Sequence, residues 1–305
     1  MVVIGGISHY QSTNIVDLVN ALTESGRIVV ASGLNLDVHG QPYNHLPELM
    51  ARANQVILAK AVCSYGNCHD LEANRSISIN DQFRAHCSTH YYRNVFGTDT
   101  EAGTLTLYVG PMFADKSTDW KTKIEKLQKA GFSPLVVKLD QDKRYGSETE
   151  ICLHTDERHP AVNISTIREI EDLLRKDPKI KDICIDEGQF FQGIYEYTQE
   201  LLSRGYNVDI TGLPLTFNLS PFGEIPSLMC LADRIILNTA ICVSCGHPAS
   251  YSQRLKPIQG TIMPAPHGDV DFLPGGAESY QARCFDCLEL PGRPENKYKL
   301  DRLVL

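Results

Sequence analysis

From residue 104 onward the chain alternates between two rhythms of apolar positions. Short β-rich runs fall at 104–109 (TLTLYV), 134–139 (PLVVKL), 183–186 (ICID), 208–213 and 234–237. Between them lie stretches with apolar residues at helical spacing, at 116–130, 165–175, 191–204 and 225–232. Gly131 and Gly205 stop two of these helices, and Ser165 is placed to cap a third. Strands that alternate with helices predict an α/β fold with a parallel sheet covered on both faces. Ligands on such sheets bind beyond the carboxyl ends of the strands.

The first hundred residues repeat part of this pattern. Gly33-Leu34, Leu46-Pro47-Glu48-Leu49-Met50, Val56-Ile57-Leu58 and Ala61-Val62-Cys63 match Gly212-Leu213, Ile225-Pro226-Ser227-Leu228-Met229, Ile235-Ile236-Leu237 and Ala240-Ile241-Cys242, always 179 positions apart. A fixed offset of this kind signals a duplication. The later copy is preceded by a strand–helix–strand unit that the earlier one lacks, so residues 1–95 are expected to be a truncated, degenerate copy that begins inside its fourth element. Residues 96–103 are turn-rich and read as a linker. Residues 104–240 form the expected core, 241–295 a small metal-binding domain, and 296–305 a tail.

The chain has 305 residues, with 42% hydrophobic and 22% charged, the balance of a globular protein. Its net charge of -8 and the lack of a basic stripe argue against a nucleic-acid partner. No apolar run reaches membrane-spanning length, and the apolar start is too short for a signal peptide. A cytoplasmic location follows as the expectation, and there ten cysteines stay reduced. Cys152, Cys184 and Cys230 sit in apolar surroundings and read as core.

Three patterns carry chemistry. Gly110-Pro111-Met112-Phe113-Ala114-Asp115-Lys116-Ser117 lies between a strand and a helix, the context of a phosphate loop. Backbone amides would cradle phosphate, with Lys116 neutralising charge and Ser117 holding Mg²⁺. Asp115 replaces the second glycine. At about 5 Å and an effective dielectric near 20, its charge would repel each phosphate charge by about 3 kcal/mol. The second pattern is Asp186-Glu187, which ends a strand of the same sheet. There Asp186 can hold hydrated Mg²⁺ and Glu187 can accept the proton of an attacking hydroxyl. At the repeat offset the first copy has Ile7-Ser8, with no carboxylate. The third is Cys242-x-x-Cys245 with Cys284-x-x-Cys287, four thiols spaced for tetrahedral Zn²⁺. Cys63, Cys68, Cys87 and His90 form a plausible Cys₃His counterpart, with an intervening loop 20 residues shorter.

With these residues in hand, 104–290 resembles the type II thymidine kinases, the cellular and poxviral family. The resemblance also rests on Thr118, Gly188-Gln189-Phe190-Phe191, Thr216-Phe217, Pro221-Phe222-Gly223, Tyr251-Ser252-Gln253-Arg254 and Gly275-Gly276-Ala277-Glu278-Ser279-Tyr280. It implies a RecA-like P-loop core, a structural Zn²⁺ and a lasso loop closing over the nucleoside. It implies transfer of the ATP γ-phosphate to the 5′-hydroxyl of thymidine or deoxyuridine in nucleotide salvage. Glu187 would be the base. Gly110, Met112, Phe113, Ala114, Asp115, Lys116, Ser117, Thr118, Arg144, Asp186 and Gln189 would hold ATP and Mg²⁺. Met112, Leu213, Phe217, Phe222, Tyr251, Leu273 and Tyr280 would line the thymine pocket. Family members form homodimers and tetramers, so two such chains would make a pseudo-tetramer of kinase-like copies. The family's Asp-Gly-Thr-Phe-Gln-Arg-Lys-Pro-Phe-Gly is here Pro214-Leu215-Thr216-Phe217-Asn218-Leu219-Ser220-Pro221-Phe222-Gly223, without its basic residues. The alternative reading is a nucleoside-binding or scaffolding relative that Asp115 has disabled.

Overall fold

The computed structural model describes residues 1–10, 14–68, 70–79, 82–140, 150–152, 158–258, 260–271, 273–296, 298 and 300. Its centre is a six-stranded sheet in the order Arg234–Leu237, Leu105–Val109, Asn207–Gly212, Asp182–Ile185, Leu135–Leu139, Val162–Ile164. Every pairing in it is parallel. Alternate side chains separate onto two faces. Tyr108, Val136 and Cys184 pack with Trp120 and Ile124 of the helix Lys116–Lys129. Leu105, Leu107, Val109, Val137, Ile183, Ile185 and Ile210 face the helices Ile170–Lys176, Ile194–Ser203 and Ile225–Leu231. This is the α/β architecture with both faces covered. Cys184 and Cys230 are fully buried.

Two element boundaries differ from the sequence expectation. The helix expected from Ser165 opens instead as a 3₁₀ turn at Ile167–Glu169. There the Glu169 carboxylate accepts hydrogen bonds from the Ser165 and Thr166 amides, so capping from within the turn moves the start. The helix expected from Phe191 begins at Ile194. Gly193 in the left-handed region separates it from a 3₁₀ turn at Gly188–Phe190.

The first segment repeats local geometry at the 179-residue offset. The helix Leu46–Arg52 matches Ile225–Leu231, each with proline in its first turn. The bridge Leu36–Pro42 matches Leu215–Pro221. The two equivalent helices pack against each other, so the contact is self-complementary, as at a two-fold interface. Met50 Sδ lies 3.5 Å from Cys230 Sγ. Leu36, Met50, Ile77, Tyr91 and Tyr92 belong to the same core cluster as the main sheet. Polar contacts reinforce the join. The buried Arg75 donates to Leu231 O (2.6 Å) and pairs with Asp233 (3.7 Å), whose carboxylate also accepts from Asn74 and from the Leu105 amide. The connecting stretch starts at Gly97, because the helix Ser88–Phe96 runs one residue into the expected linker. Among the described residues, no helix is long and apolar enough to cross a membrane.

Candidate functional site

The phosphate-loop strand Leu105–Val109 ends at Gly110, where an added Cβ would sit 2.3 Å from Asn238 O, so only glycine fits. Phe113 (φ 65°) and Asp115 (φ 53°) occupy the left-handed region. Asp115 therefore takes a conformation natural to glycine, one that aspartate tolerates better than most residues. It is exposed and stands at the N-cap position of the helix Lys116–Lys129 without a side-chain capping bond, and Lys116 Nζ donates to Pro111 O across the loop (2.7 Å). Ala114 is buried against Ala240, Cys242, Ala249 and Ala282, which anchors the loop on the cysteine-bearing module. Ser117 is half-buried and Thr118 exposed at the start of the helix. The Met112 amide donates to Ser252 Oγ (3.0 Å).

One strand away from the phosphate-loop strand, counting Asn207–Gly212 between, Asp182–Ile185 delivers Asp186 and Glu187 to the same sheet end. Thr211 ties the two together. Its hydroxyl donates to Asp186 Oδ1 (2.6 Å) and accepts the Glu187 amide (3.1 Å). Glu187 is itself left-handed (φ 49°, ψ 50°). Holding an L-residue there costs about 1–2 kcal/mol and persists only when surroundings enforce it. The buried Gln189 supplies part of that enforcement. Its Nε2 donates to Glu187 Oε2 (2.5 Å), and its Oε1 accepts the Leu213 amide (3.1 Å). Gln189 thus faces the acidic pair and the strand that follows it. Arg144 lies outside the described residues.

Of the apolar group, Leu213, Phe217 and Tyr280 are buried, Met112, Phe222 and Tyr251 are half-buried, and Leu273 is exposed. Phe222 meets Phe190 edge-on at 5.5 Å, and Tyr251 lies 5.9 Å from Phe285. The Tyr280 hydroxyl closes the long loop by donating to Leu273 O (2.8 Å) and accepting the Leu273 amide (3.0 Å). A second fastening runs through residues that sequence reading left without roles. The Arg254 guanidinium stacks over Phe217 at 5.0 Å, pairs with Asp269 at 3.1 Å and donates to Val270 O. Asn218 Nδ2 donates to Asp271 (2.7 Å) and Asp269 O (3.2 Å), and its Oδ1 accepts the Gly268 amide (3.1 Å). Arg254 was visible as part of a motif. Thr211 and Asn218 carried no sequence signal of their own.

Cys242, Cys245, Cys284 and Cys287 present ligand atoms all within 4.8 Å of one another, as do Cys63, Cys68, Cys87 and His90. Tetrahedral Zn–S bonds of about 2.3 Å put sulfurs about 3.8 Å apart, so both donor sets suit zinc. Burial opposes ionisation of the Cys242 thiol, yet the Cys284, Ser244 and Cys245 amides draw its pKa down to about 6. The neighbouring thiols push Cys287 up to about 12, the mutual opposition that a bound cation relieves. In the first set, His90 Nδ1 lies 3.1 Å from Cys87 Sγ and 3.5 Å from Cys63 Sγ, and its ring stacks on Tyr65 at 4.2 Å.

Strand register corrects one position in the repeat. Ile4 pairs with Ala31 and Ile185 with Ile210. Ala31 and Ile210 are 179 apart, whereas Ile4 and Ile185 are 181 apart. Gly5 and Gly6, rather than Ile7 and Ser8, therefore stand where Asp186 and Glu187 stand. Gly6 has the same left-handed backbone as Glu187 (φ 63°), and a 3₁₀ turn follows both. Ser8 Oγ accepts the Leu34 amide (3.3 Å) as Gln189 Oε1 accepts that of Leu213. The two extra residues lie between the paired strands, where no identity marked them.

A family model described as thymidine kinase matches residues 1–92 and 103–288, which take in the phosphate loop, the acidic pair and both cysteine clusters. The chain belongs to the thymidine kinase family.

Proposed function

We propose that the chain transfers the γ-phosphate of ATP to the 5′-hydroxyl of thymidine or deoxyuridine, yielding the monophosphate for nucleotide salvage. The family supplies the general chemistry, a kinase acting on ATP and a nucleoside. The single observation that carries the finer reading is Glu187. It is held in a costly left-handed backbone beside Asp186, with Gln189 and Thr211 bracing it. A carboxylate kept there against its backbone preference is suited to accept the hydroxyl proton as phosphate arrives.

In this reading residues 110–118 and Arg144 hold ATP, Asp186 holds Mg²⁺ through its hydration shell, and Met112, Leu213, Phe217, Phe222, Tyr251, Leu273 and Tyr280 enclose the base. The domains run 1–96, 104–240 and 241–295, with a linker at 97–103, after the helix Ser88–Phe96, and a tail at 296–305. Zinc at both clusters is structural. The first segment serves as a built-in neighbouring subunit, supported by its self-complementary helix contact, and two cytoplasmic chains pair into a pseudo-tetramer.

Purified protein with ATP, Mg²⁺ and labelled thymidine is expected to yield thymidine monophosphate. Glu187→Gln is expected to lower kcat by about 10³-fold with Tm unchanged. Absence of product from the folded wild type rejects the reading. The exposed acid in the phosphate loop favours a second reading, a nucleoside-binding relative without turnover. A protein that binds thymidine but phosphorylates it only as Asp115→Gly would establish that alternative.

A further inference from the structure

The helix Leu46–Arg52 belongs to the segment without a carboxylate pair, yet its last residue reaches into the other segment's nucleoside loop. Arg52 Nη2 donates to Leu219 O at 2.5 Å and pairs with Glu48 Oε1 at 2.7 Å, one turn back on the same helix. Leu219 is a buried non-glycine residue in the left-handed region (φ 64°), a conformation its own side chain disfavours. Its carbonyl is oriented by that backbone, and the Arg52 guanidinium is the side-chain donor that meets it. The immediate neighbour, Asn218, is the clasp for Gly268, Asp269 and Asp271 of the long loop, and Phe217 lies under Arg254, which grips the same loop. A continuous path of contacts therefore runs from the first segment, through Arg52 and Leu219, to the loop expected to close over the nucleoside.

The equivalent place in the first segment is built differently. Gly40 stands where Leu219 stands, with the same left-handed backbone (φ 74°) and no side chain to resist it. Its carbonyl accepts Gln199 Nε2 (3.0 Å) and the Tyr195 hydroxyl from the other segment. Each segment thus pins the other's turn at this carbonyl. Only at Leu219 is the pinned conformation costly to the residue that adopts it, and only there does the preceding residue, Asn218, hold the long loop.

We propose that Arg52 is a positioning residue for nucleoside binding: it holds the 214–223 turn in the shape that lets Asn218 and Phe217 fasten the 266–271 stretch of the long loop. This inference rests on the proposed nucleoside site. It makes the segment without a carboxylate pair a working part of that site rather than a packing partner alone. Arg52 touches no reacting atom, so its loss acts on binding more than on the chemical step.

The test uses the full chain. Arg52→Met keeps the length of the stem and removes the donor. Its KM for thymidine is expected to rise about tenfold, the size of a lost charge-assisted hydrogen bond, while kcat changes less than about twofold. Arg52→Lys restores a donor and is expected to recover part of the loss. Amide hydrogen exchange, which needs no turnover, is expected to accelerate in Arg52→Met at 214–223 and 266–271 and to stay unchanged at 105–139. Should Arg52→Met not fold, Glu48→Gln replaces it. That variant leaves the arginine without its orienting carboxylate and is expected to raise KM about twofold to threefold and loosen the same two segments. A folded variant with unaltered KM and unaltered exchange in those segments overturns the proposal, as does equal acceleration across the whole chain. If the wild type makes no thymidine monophosphate, the exchange experiment still decides the role of Arg52. Product from the wild type with unaltered Arg52→Met defeats this inference alone.

Discussion

The two segments share a backbone and differ at the positions where chemistry would occur. Gly6 and Glu187 both sit in the left-handed region before a 3₁₀ turn. In the first segment glycine adopts that shape freely. In the second, a glutamate adopts it at a cost of about 1–2 kcal/mol, held by Thr211 and Gln189. At Asn44 and Gly223 the exchange runs the other way. Gly223 lies so close to Gln189 that an added Cβ would be 2.2 Å from the Gln189 carbonyl oxygen, whereas Asn44 fits in the first segment and donates to Ser8 O at 3.4 Å. The lesson is that a backbone conserved between two segments does not itself mark function. Strain alone does not mark it either, since Asn44 is strained in the first segment where Gly223 is relaxed in the second; what is particular to Glu187 is a strained carboxylate beside Asp186, bonded to Thr211 and Gln189.

Metal binding gives the largest effect with which to probe this contrast. Two zinc ions per chain are expected by elemental analysis, one for each cluster. Cys284→Ser is expected to lose one ion, to lower Tm by about 10 °C or more and to raise KM for the nucleoside, because that cluster anchors the long loop. Cys87→Ser is expected to lose one ion and a similar margin of stability while KM moves far less. Equal effects of the two variants on KM would break the distinction between the segments.

A smaller effect separates the paired turns. Gly223→Ala is expected to destabilise the protein by about 2–3 kcal/mol in denaturant unfolding, because backbone rather than a flexible side chain blocks the added carbon. It should also reduce turnover by displacing Gln189 from Glu187. Asn44→Gly is expected to change stability by only a few tenths of a kcal/mol, from the added freedom of the unfolded chain set against relief of a positive φ. A severe loss in Asn44→Gly would show that the first segment is as tightly specified there as the second.

Much of this was legible in the sequence. The rhythm of apolar positions marked all but one strand of the central sheet, and five of its six strands start and stop within one residue of their expected bounds. The sixth, Val162–Ile164, is a three-residue edge strand too short to carry a period. That residues 110–118 and Asp186-Glu187 meet at one end of the sheet, and that each cysteine set gathers its ligand atoms, was readable because these residue types are tied to geometry. The support was not. Thr211 is one polar residue in an apolar strand, Gln189 was expected to serve the nucleotide, and the Asn218 clasp joins positions 50 to 53 residues apart. The two-residue shift at the front of the repeat was hidden because glycines replaced the carboxylates that would have revealed it.

A buried acid supplies the third and mildest probe. Asp209, on the strand between the phosphate loop and the acidic pair, is raised from 3.8 to about 6, chiefly by burial, with Asp182 adding to the shift and Lys123 opposing it. Its counterpart in the first segment is the exposed Val30. The folded chain therefore keeps a proton there that the unfolded chain releases between about pH 4 and pH 6. This contribution to stability is fullest below about pH 4, falls as pH rises to about 6, and is constant above that. Asp209→Asn, which mimics the neutral acid, is expected to stabilise the protein by about 3 kcal/mol at pH 7.5 and by little at pH 4. An equal effect at both values would mean the carboxyl group is solvated. Val30→Asn is expected to show no pH dependence.

The comparison rests most heavily on Glu187→Gly, which gives the second segment the residue the first already has. Phosphate transfer to thymidine and the free energy of unfolding, measured on the same preparation, test it directly. The expected result is loss of transfer by about 10³-fold with stability unchanged or raised by about 1 kcal/mol, as a strained residue gives way to one that fits. Transfer persisting within tenfold of wild type, or lost only together with the fold, would contradict the role assigned to Glu187.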